Sequence, residues 1–507
     1  MWDTSAIEGE AGVVMRKWFA ALLLLSLSVP FHGALAQAGA HATVSARAMA
    51  QARTEGTVRV LVAFRDPGVA AATPKARMRA VADTADALLS RLPARGHDVR
   101  RRFALVPALA MDVDLATLRA LARDPAVARV DIDAPGTGHA VAADEASFLN
   151  QVEMLQGLGL DGSGQKVAVV DSGVASSHPD LASRLIDEQC FCSGASGSVG
   201  CCPNRQDTQS GVGAAFDDNG HGTNVSGIIV GEGIVAPRGA VPAADLVAVK
   251  VLDSGNSFCC SSDVVAALDW IAIHHPDVAA VNLSLGTNAL FPGDCDNASS
   301  FTRAMADAVD VLTHLGAVVT VSTGNQGNAT MTSAPSCVRN AVGVGATWDF
   351  AGGPVTFLGC TDASTAPKQP TCFSNRSATT DLYAAGAFVT SAGRFGGTSS
   401  YGGTSQAAPM VAACAVALKQ AVPVSTPADR IDAMKLAPTT VQHGAHAYPF
   451  LDCASAVMLF VAPRMCASGD PTCCGPGELD CTGGVRPVPQ SLPPGARARA
   501  HADSTVP

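Results

Sequence analysis

From residue 166 onward the chain repeats short runs of apolar, largely β-branched residues: Lys166–Val170, Asp245–Val251, Ala279–Leu285, Ala317–Ser322 and Ala341–Ala346. Runs that are apolar throughout are buried on both faces, as parallel strands are. Helical stretches lie between them near 262–275 and 299–315, and another runs from Ser405 to about Lys419. Strands alternating with helices predict an α/β domain with a doubly wound parallel sheet, here assigned to 141–453. In such sheets the sites gather at the carboxyl ends of strands. Upstream the pattern differs. Residues 57–64 alternate as a strand, 75–92 are Ala-, Arg- and Leu-rich and read as a helix, and 103–113 are strand-like. Residues 114–122 predict a short helix that Asp114 can cap, and Val127–Ile132 is a last strand. This order predicts a small α+β domain over 37–140, ending in the linker-like Asp133-Ala-Pro-Gly-Thr-Gly-His-Ala.

The ends of the chain belong to neither domain. Met15-Arg16-Lys17, the apolar run Trp18–Val29 and the small-x-small triplet Ala34-Leu35-Ala36 predict a signal peptide over 1–36. Its basic start makes Met15 an alternative initiator. The run is too short to span a bilayer as a helix, and no later stretch is long and apolar enough. The expected location is outside the cytoplasm: secreted, periplasmic or held at the cell surface. Residues 454–507 hold four cysteines and then a Pro-, Arg- and Ala-rich run, which predicts a disulfide-stapled extension and a disordered tail.

All 16 cysteines lie at or beyond Cys190. In an exported chain they are expected to be disulfides. The clusters Cys190/Cys192/Cys201/Cys202 and Cys259/Cys260 also raise zinc, but their spacings match no standard site. Net charge is −10, which excludes a nucleic-acid binder. The charge is uneven. Residues 37–135 carry 15 Lys and Arg against 10 Asp and Glu, whereas 136–507 carry 17 against 31. A basic segment ahead of an acidic one can dock on it with help from the field.

Three short words carry the candidate chemistry. Asp171 stands in Val170-Asp171-Ser172-Gly173, directly after an apolar strand. His221 stands in Gly220-His221-Gly222-Thr223, and Ser405 in Gly403-Thr404-Ser405-Gln406-Ala407-Ala408-Pro409. An acid, an imidazole and a hydroxyl make an activated nucleophile: Ser attacks, His takes its proton, and Asp orients the ring and stabilises the imidazolium. Ser405 opens a helix, whose first N–H groups are free to hold an oxyanion. This is not the elbow G-x-S-x-G, because Ala407 stands at the second glycine and the chain order differs. A second D-S-G word, Leu252-Asp253-Ser254-Gly255, raises an aspartic protease. That enzyme needs two β-rich lobes and leaves the His and Ser words unexplained. Either D-S-G alone is also an ordinary Asx turn.

The words DSG, GHGT and GTSxAAP, in the order Asp, His, Ser, resemble the subtilisin-like serine proteases. The resemblance covers roughly 145–453 by motif and 57–135 by pattern. It implies a secreted serine endopeptidase made as a zymogen, whose pro-domain assists folding and then inhibits until a cut between about 135 and 150. His221, preceded by Asp217, Asp218 and Asn219 as in the family, is implied as general base and then general acid. Asn325, in Ser322-Thr323-Gly324-Asn325-Gln326-Gly327, is implied as an oxyanion donor beside the Ser405 N–H, and it argues against the kexin-like branch. Removing such a donor from subtilisin costs roughly 100- to 1000-fold in turnover.

Ser284, Leu285 and Gly286, with Ser322–Gly324 opposite, are implied to bind substrate. Those walls are uncharged, which favours an apolar or small side chain before the cut. Asp253–Ser257 resembles the edge that pairs with extended substrate, and Ser333–Val338 resembles the corresponding region of proteinase K. Gln406 stands where the family often has Met. No cofactor is implied for the chemistry. Structural Ca²⁺ is common in the family, though no dedicated ligand motif marks a site here. The implied partners are protein or peptide substrates and the chain's own pro-domain, in a monomer. A catalytically silent, peptide-binding relative is the other reading, although every catalytic position is filled. Five N-x-[ST] words, at Asn224, Asn282, Asn297, Asn328 and Asn375, are attributed to chance.

Overall fold

The computed structural model describes residues 42–65, 73–138, 149–194 and 198–467. The expected signal peptide, the residues 139–148 within which the linker ends, and all but the start of the C-terminal extension lie outside them.

The N-terminal unit is a five-stranded sheet carrying helices α1 (Ala46–Glu55), α2 (Pro74–Leu89) and α3 (Leu115–Leu121). Its strands are β1 (Thr43–Val44), β2 (Thr57–Phe64), β3 (His97–Arg102), β4 (Ala108–Asp114) and β5 (Val127–Ile132), in the order β1-β5-β2-β4-β3. The expected strand 57–64 and the Asp114 cap, which accepts from Thr117 N (2.7 Å), are both present. The expected strand 103–113 is corrected to 108–114. Residues 103–107 instead form a turn, because the N–H groups of Ala104 and Leu105 donate to Asp269 of the following domain (2.7 and 2.8 Å). Helix α1 and strand β3 were not expected.

The chain then forms β6 (Gly136–Gly138) and enters the α/β domain through β7 (Lys166–Asp171). Next come β8 (Leu185–Phe191), β9 (Thr208–Ser210), α4 (His221–Val230), β10 (Asp245–Lys250), β11 (Ser257–Phe258) and α5 (Ser261–His274). After them lie β12 (Ala280–Leu283), β13 (Leu285–Thr287), α6 (Ser300–Leu315), β14 (Val318–Ser322), β15 (Val342–Trp348), β16 (Thr380–Ala387), α7 (Thr404–Ala421), α8 (Pro427–Lys435) and α9 (Cys453–Ala467). The main sheet runs β16-β15-β14-β12-β7-β10-β8-β9 and is parallel except for the β8–β9 pair. This is the expected doubly wound α/β fold. The long α7 is buried from Thr404 to Leu418, which explains its Ala-rich sequence: small side chains let it lie close against β16, β14 and β15.

One expected strand is broken. The run 279–285 divides at Ser284 into β12 and β13. There β13 leaves the main sheet and joins a second one, ordered β11-β6-β13. Its middle strand, β6, is the end of the N-terminal unit.

That unit lies against α5 and α6. Leu61, Phe103, Leu105 and Val106 share one buried apolar cluster with Val264, Leu268, Phe301 and Met305. Two carboxylates cap the two helices: Asp131 accepts from Ser300 N (2.7 Å) and Asp133 from Ser262 N (2.7 Å). Acid at a helix N-terminus satisfies an orphan N–H and meets the positive end of the dipole. The Arg101 guanidinium pairs with Asp263 and donates to Thr208 Oγ1 (3.0 Å) and the Asp207 carbonyl (3.0 Å), at the strand that pairs with β8, beside the loop closed by Cys190–Cys202 and Cys192–Cys201.

The other disulfides are Cys259–Cys260, Cys295–Cys337, Cys360–Cys372 and Cys414–Cys453. The remaining four cysteines lie outside the described side chains. Among the described residues no cluster of three or more His, Cys, Asp or Glu side chains gathers that could hold a metal. No described helix is long and apolar enough to cross a membrane.

Candidate active site

The acid, the imidazole and the hydroxyl arrive on three different elements. Asp171 is the last residue of β7, His221 the first of α4 and Ser405 the second of α7. All three side chains are buried. Asp171 Oδ1 lies 2.6 Å from His221 Nδ1 and also accepts from Ser172 N (2.7 Å). Ser405 Oγ donates to the carbonyl of Ser284 (3.0 Å), at the break between β12 and β13.

Local chemistry holds each group. Gly222 must be glycine, because a Cβ there would sit 2.2 Å from the Gly173 carbonyl oxygen. That close approach brings the His221 turn onto the Asp171 strand. Asp217 fastens the same turn. One oxygen accepts from Ser172 Oγ (2.9 Å) and Gly220 N (2.8 Å), and the other accepts from Thr223 N (3.0 Å) and Thr223 Oγ1 (2.5 Å). Burial pushes the Asp217 carboxyl up, but the hydrogen bonds from Thr223, Gly220, Ser172 and Asn219 outweigh it and hold the carboxyl below its ordinary range. Lys250 is also buried. Its Nζ donates to Ser172 O (2.8 Å), Leu252 O (2.7 Å) and Asp218 Oδ1 (2.6 Å), tying the strand ends of β7 and β10 together.

On the serine side, Pro409 stands inside α7 and has no N–H to donate to the carbonyl of residue 405. Ser284 Oγ takes that acceptor at 2.7 Å. Asn282 Nδ2 donates to Ser284 Oγ (3.0 Å), and Thr320 Oγ1 donates to Asn282 Oδ1 (3.1 Å). A buried polar chain therefore fixes the backbone that carries Ser405.

Asn325 follows Gly324, whose φ of +102° is a left-handed conformation that suits glycine. Its Oδ1 accepts from Thr404 N (3.0 Å) and Thr404 Oγ1 (2.8 Å). The amide is thereby oriented, and its Nδ2 is buried without a partner among the described residues. A buried N–H donor left unpaired is costly unless a ligand accepts it. Gln406 is fully buried and donates to Asn224 Oδ1 (3.3 Å). Asn224, Asn282 and Asn375 are each fully buried, so no glycan fits there.

Ser284, which precedes Leu285 and Gly286, accepts from Ser405, and Gly324 N donates to Thr404 Oγ1 (3.2 Å). Gly286 lies opposite Thr137 of β6, and Leu285 lies opposite Gly138. On the other edge Ser257 and Phe258 face Thr137 and Gly136. Ser257, the last residue of the stretch Asp253–Ser257, and Phe258 form the edge that pairs with β6, and Asp253 Oδ1 accepts from Ser257 N (3.0 Å). Sequence reasoning missed the supports Asn282, Thr320 and Lys250. Asp217 was visible, in the word that precedes His221.

A doubly wound sheet with an Asp–His pair and a helix-borne Ser at the carboxyl ends of its strands is an arrangement compatible with a serine hydrolase. Residues 162–447 match the model of the Subtilase family, and the chain belongs to that family. It is 31% identical over 327 residues to an alkaline protease of Shouchella clausii, covering 64% of this chain and 72% of that one. It is 29% identical over 347 residues to subtilisin E of Bacillus subtilis, covering 67% and 78%. It is also 29% identical over 380 residues to alkaline elastase YaB of a Bacillus species, covering 74% and 84%. The protein is a serine endopeptidase, a hydrolase of peptide bonds.

Proposed function

We propose that this endopeptidase is secreted as a zymogen and works through Ser405, His221 and Asp171. Ser405 Oγ attacks the peptide carbonyl as His221 takes its proton. Asp171, bonded to Nδ1, fixes the ring so that Nε2 is the working nitrogen. Asn325 Nδ2 and the Ser405 N–H hold the oxyanion of the tetrahedral intermediate. His221 then returns the proton to the leaving amine, and water releases the acyl group by the reverse sequence. No step needs a metal or a cofactor. The Nδ2 of Asn325, unpaired among the described residues while the amide's own Oδ1 accepts from Thr404, is the observation that carries this reading.

The N-terminal unit is the pro-domain. Strand β6 supports this, because its end fills the groove beside Ser405: Gly138 faces Leu285, and the neighbouring Ser284 accepts from the nucleophile. From that register we infer a cut just beyond Gly138, within the 135–150 window. The uncharged walls around Gly286 and Gly324 favour an apolar or small side chain before the cut. Intact mass and N-terminal sequencing of the secreted protein test this. We expect a chain beginning shortly after Gly138. An uncut chain, or a cut outside 135–150, would reject the zymogen reading. Hydrolysis of casein by the secreted protein, lost in Ser405→Ala, tests the chemistry.

A further inference from the structure

We propose that Phe258 makes the cleft select glycine at the position that Gly136 occupies, so that glycine-bearing segments are the preferred substrates. The inference rests on reading β6 as lying where substrate lies. Gly136 is paired with Phe258 on one side and Thr287 on the other. A Cβ built on Gly136 would fall 2.1 Å from Phe258 Cζ, 2.4 Å from its Cε1 and 2.3 Å from the Gly286 carbonyl oxygen. Unbonded carbons rest about 3.5–4.0 Å apart, so even alanine does not fit without movement.

Neither obstacle moves easily. The carbonyl is main chain, and β13 is held on its far side by Thr287 N donating to Ala334 O (2.9 Å). With β6 in place Phe258 is 3% exposed, and it belongs to the same buried cluster as Leu285 and Val264. Interiors are packed tightly enough that turning such a ring aside opens a void on one side and a clash on the other. The backbone under the ring is tied as well. Before it, Asp253 N donates to the Ser257 carbonyl (2.8 Å). After it come Cys259 and Cys260, joined to each other, and then the first turn of α5. Glycine is the residue that enters such a site, because it has no Cβ.

Internally quenched peptides carrying residues 133–144, with Gly136 kept or replaced by Ala, Leu or Phe, test this on the matured protein. We expect kcat/KM to fall about tenfold for Ala and further for Leu and Phe. Phe258→Ala is expected to bring the Leu peptide to within a few-fold of the Gly peptide. Equal or faster cleavage of the Leu peptide by the native protein would overturn the proposal. That comparison needs no variant, so it stands even if Phe258→Ala fails to fold. If the Gly peptide is not cut while casein is, the inference fails and the proteolytic reading survives. If neither is cut, both fail.

Discussion

At the scale of single residues, Asn325 is oriented in a way that suits the role proposed for it. Thr404 occupies its oxygen, so its N–H groups face one way. Asn325→Ala should lower kcat by roughly 100- to 1000-fold with little change in KM, since the donor works chiefly in the transition state. A loss confined to KM would show that Asn325 binds ground-state substrate instead. Gln406 makes a different prediction. It places an amide beside the nucleophile where many relatives carry an oxidisable thioether. Activity should survive dilute hydrogen peroxide, and Gln406→Met should become sensitive. Rapid inactivation of the native protein would reject this. The words around Asp171, His221 and Ser405 were readable because each needs glycine and a small polar neighbour in consecutive positions. The buried chain Thr320–Asn282–Ser284 was not, because three separated polar residues leave no local pattern.

At the scale of elements, the central strands were legible and the edges were not. Strands β7, β10, β12, β14 and β15 are buried on both faces and carry the run of apolar residues that burial demands. Strand β3, His-Asp-Val-Arg-Arg-Arg, alternates between half-buried and exposed residues and shows no apolar run. Strand β16 is Ala- and Gly-containing, because α7 packs directly on it. The hairpin Thr440–His443/His446–Pro449 was equally hidden, and it carries a titration that can be measured. Arg376 Nη1 donates to His443 Nε2 (2.6 Å), and His443 Nδ1 lies 2.7 Å from the Tyr383 hydroxyl. Burial and the Arg376 charge push the His443 pKa from 6.5 down to about 4, against the pull of Asp362. Between those values the unfolded chain binds a proton that the folded one refuses. The stability from His443 is therefore complete above pH 6.5 and is lost as pH falls toward 4. The melting temperature of the matured protein should drop across that window, and His443→Gln should flatten part of the drop. A slope unchanged by His443→Gln would count against the assignment.

At the scale of the whole molecule, the N-terminal unit ends in a strand that lies between β11 and β13 of the α/β domain. The basic N-terminal unit reaches the acidic domain through Arg101 to Asp263, and it caps α5 and α6 with Asp133 and Asp131. The charge asymmetry of the two halves foreshadowed this docking. The route of β6 between β11 and β13 did not show in the sequence, because Gly-Thr-Gly has no strand signature; it pairs through backbone alone. A serine-directed fluorophosphonate tests the account most directly. The uncut chain should resist labelling, the matured protein should label at Ser405 with a single equivalent, and Ser405→Ala should not label. Matured protein that stays unlabelled, or labelling that persists in Ser405→Ala, would contradict the claim that Asp171, His221 and Ser405 act together as the catalytic machinery.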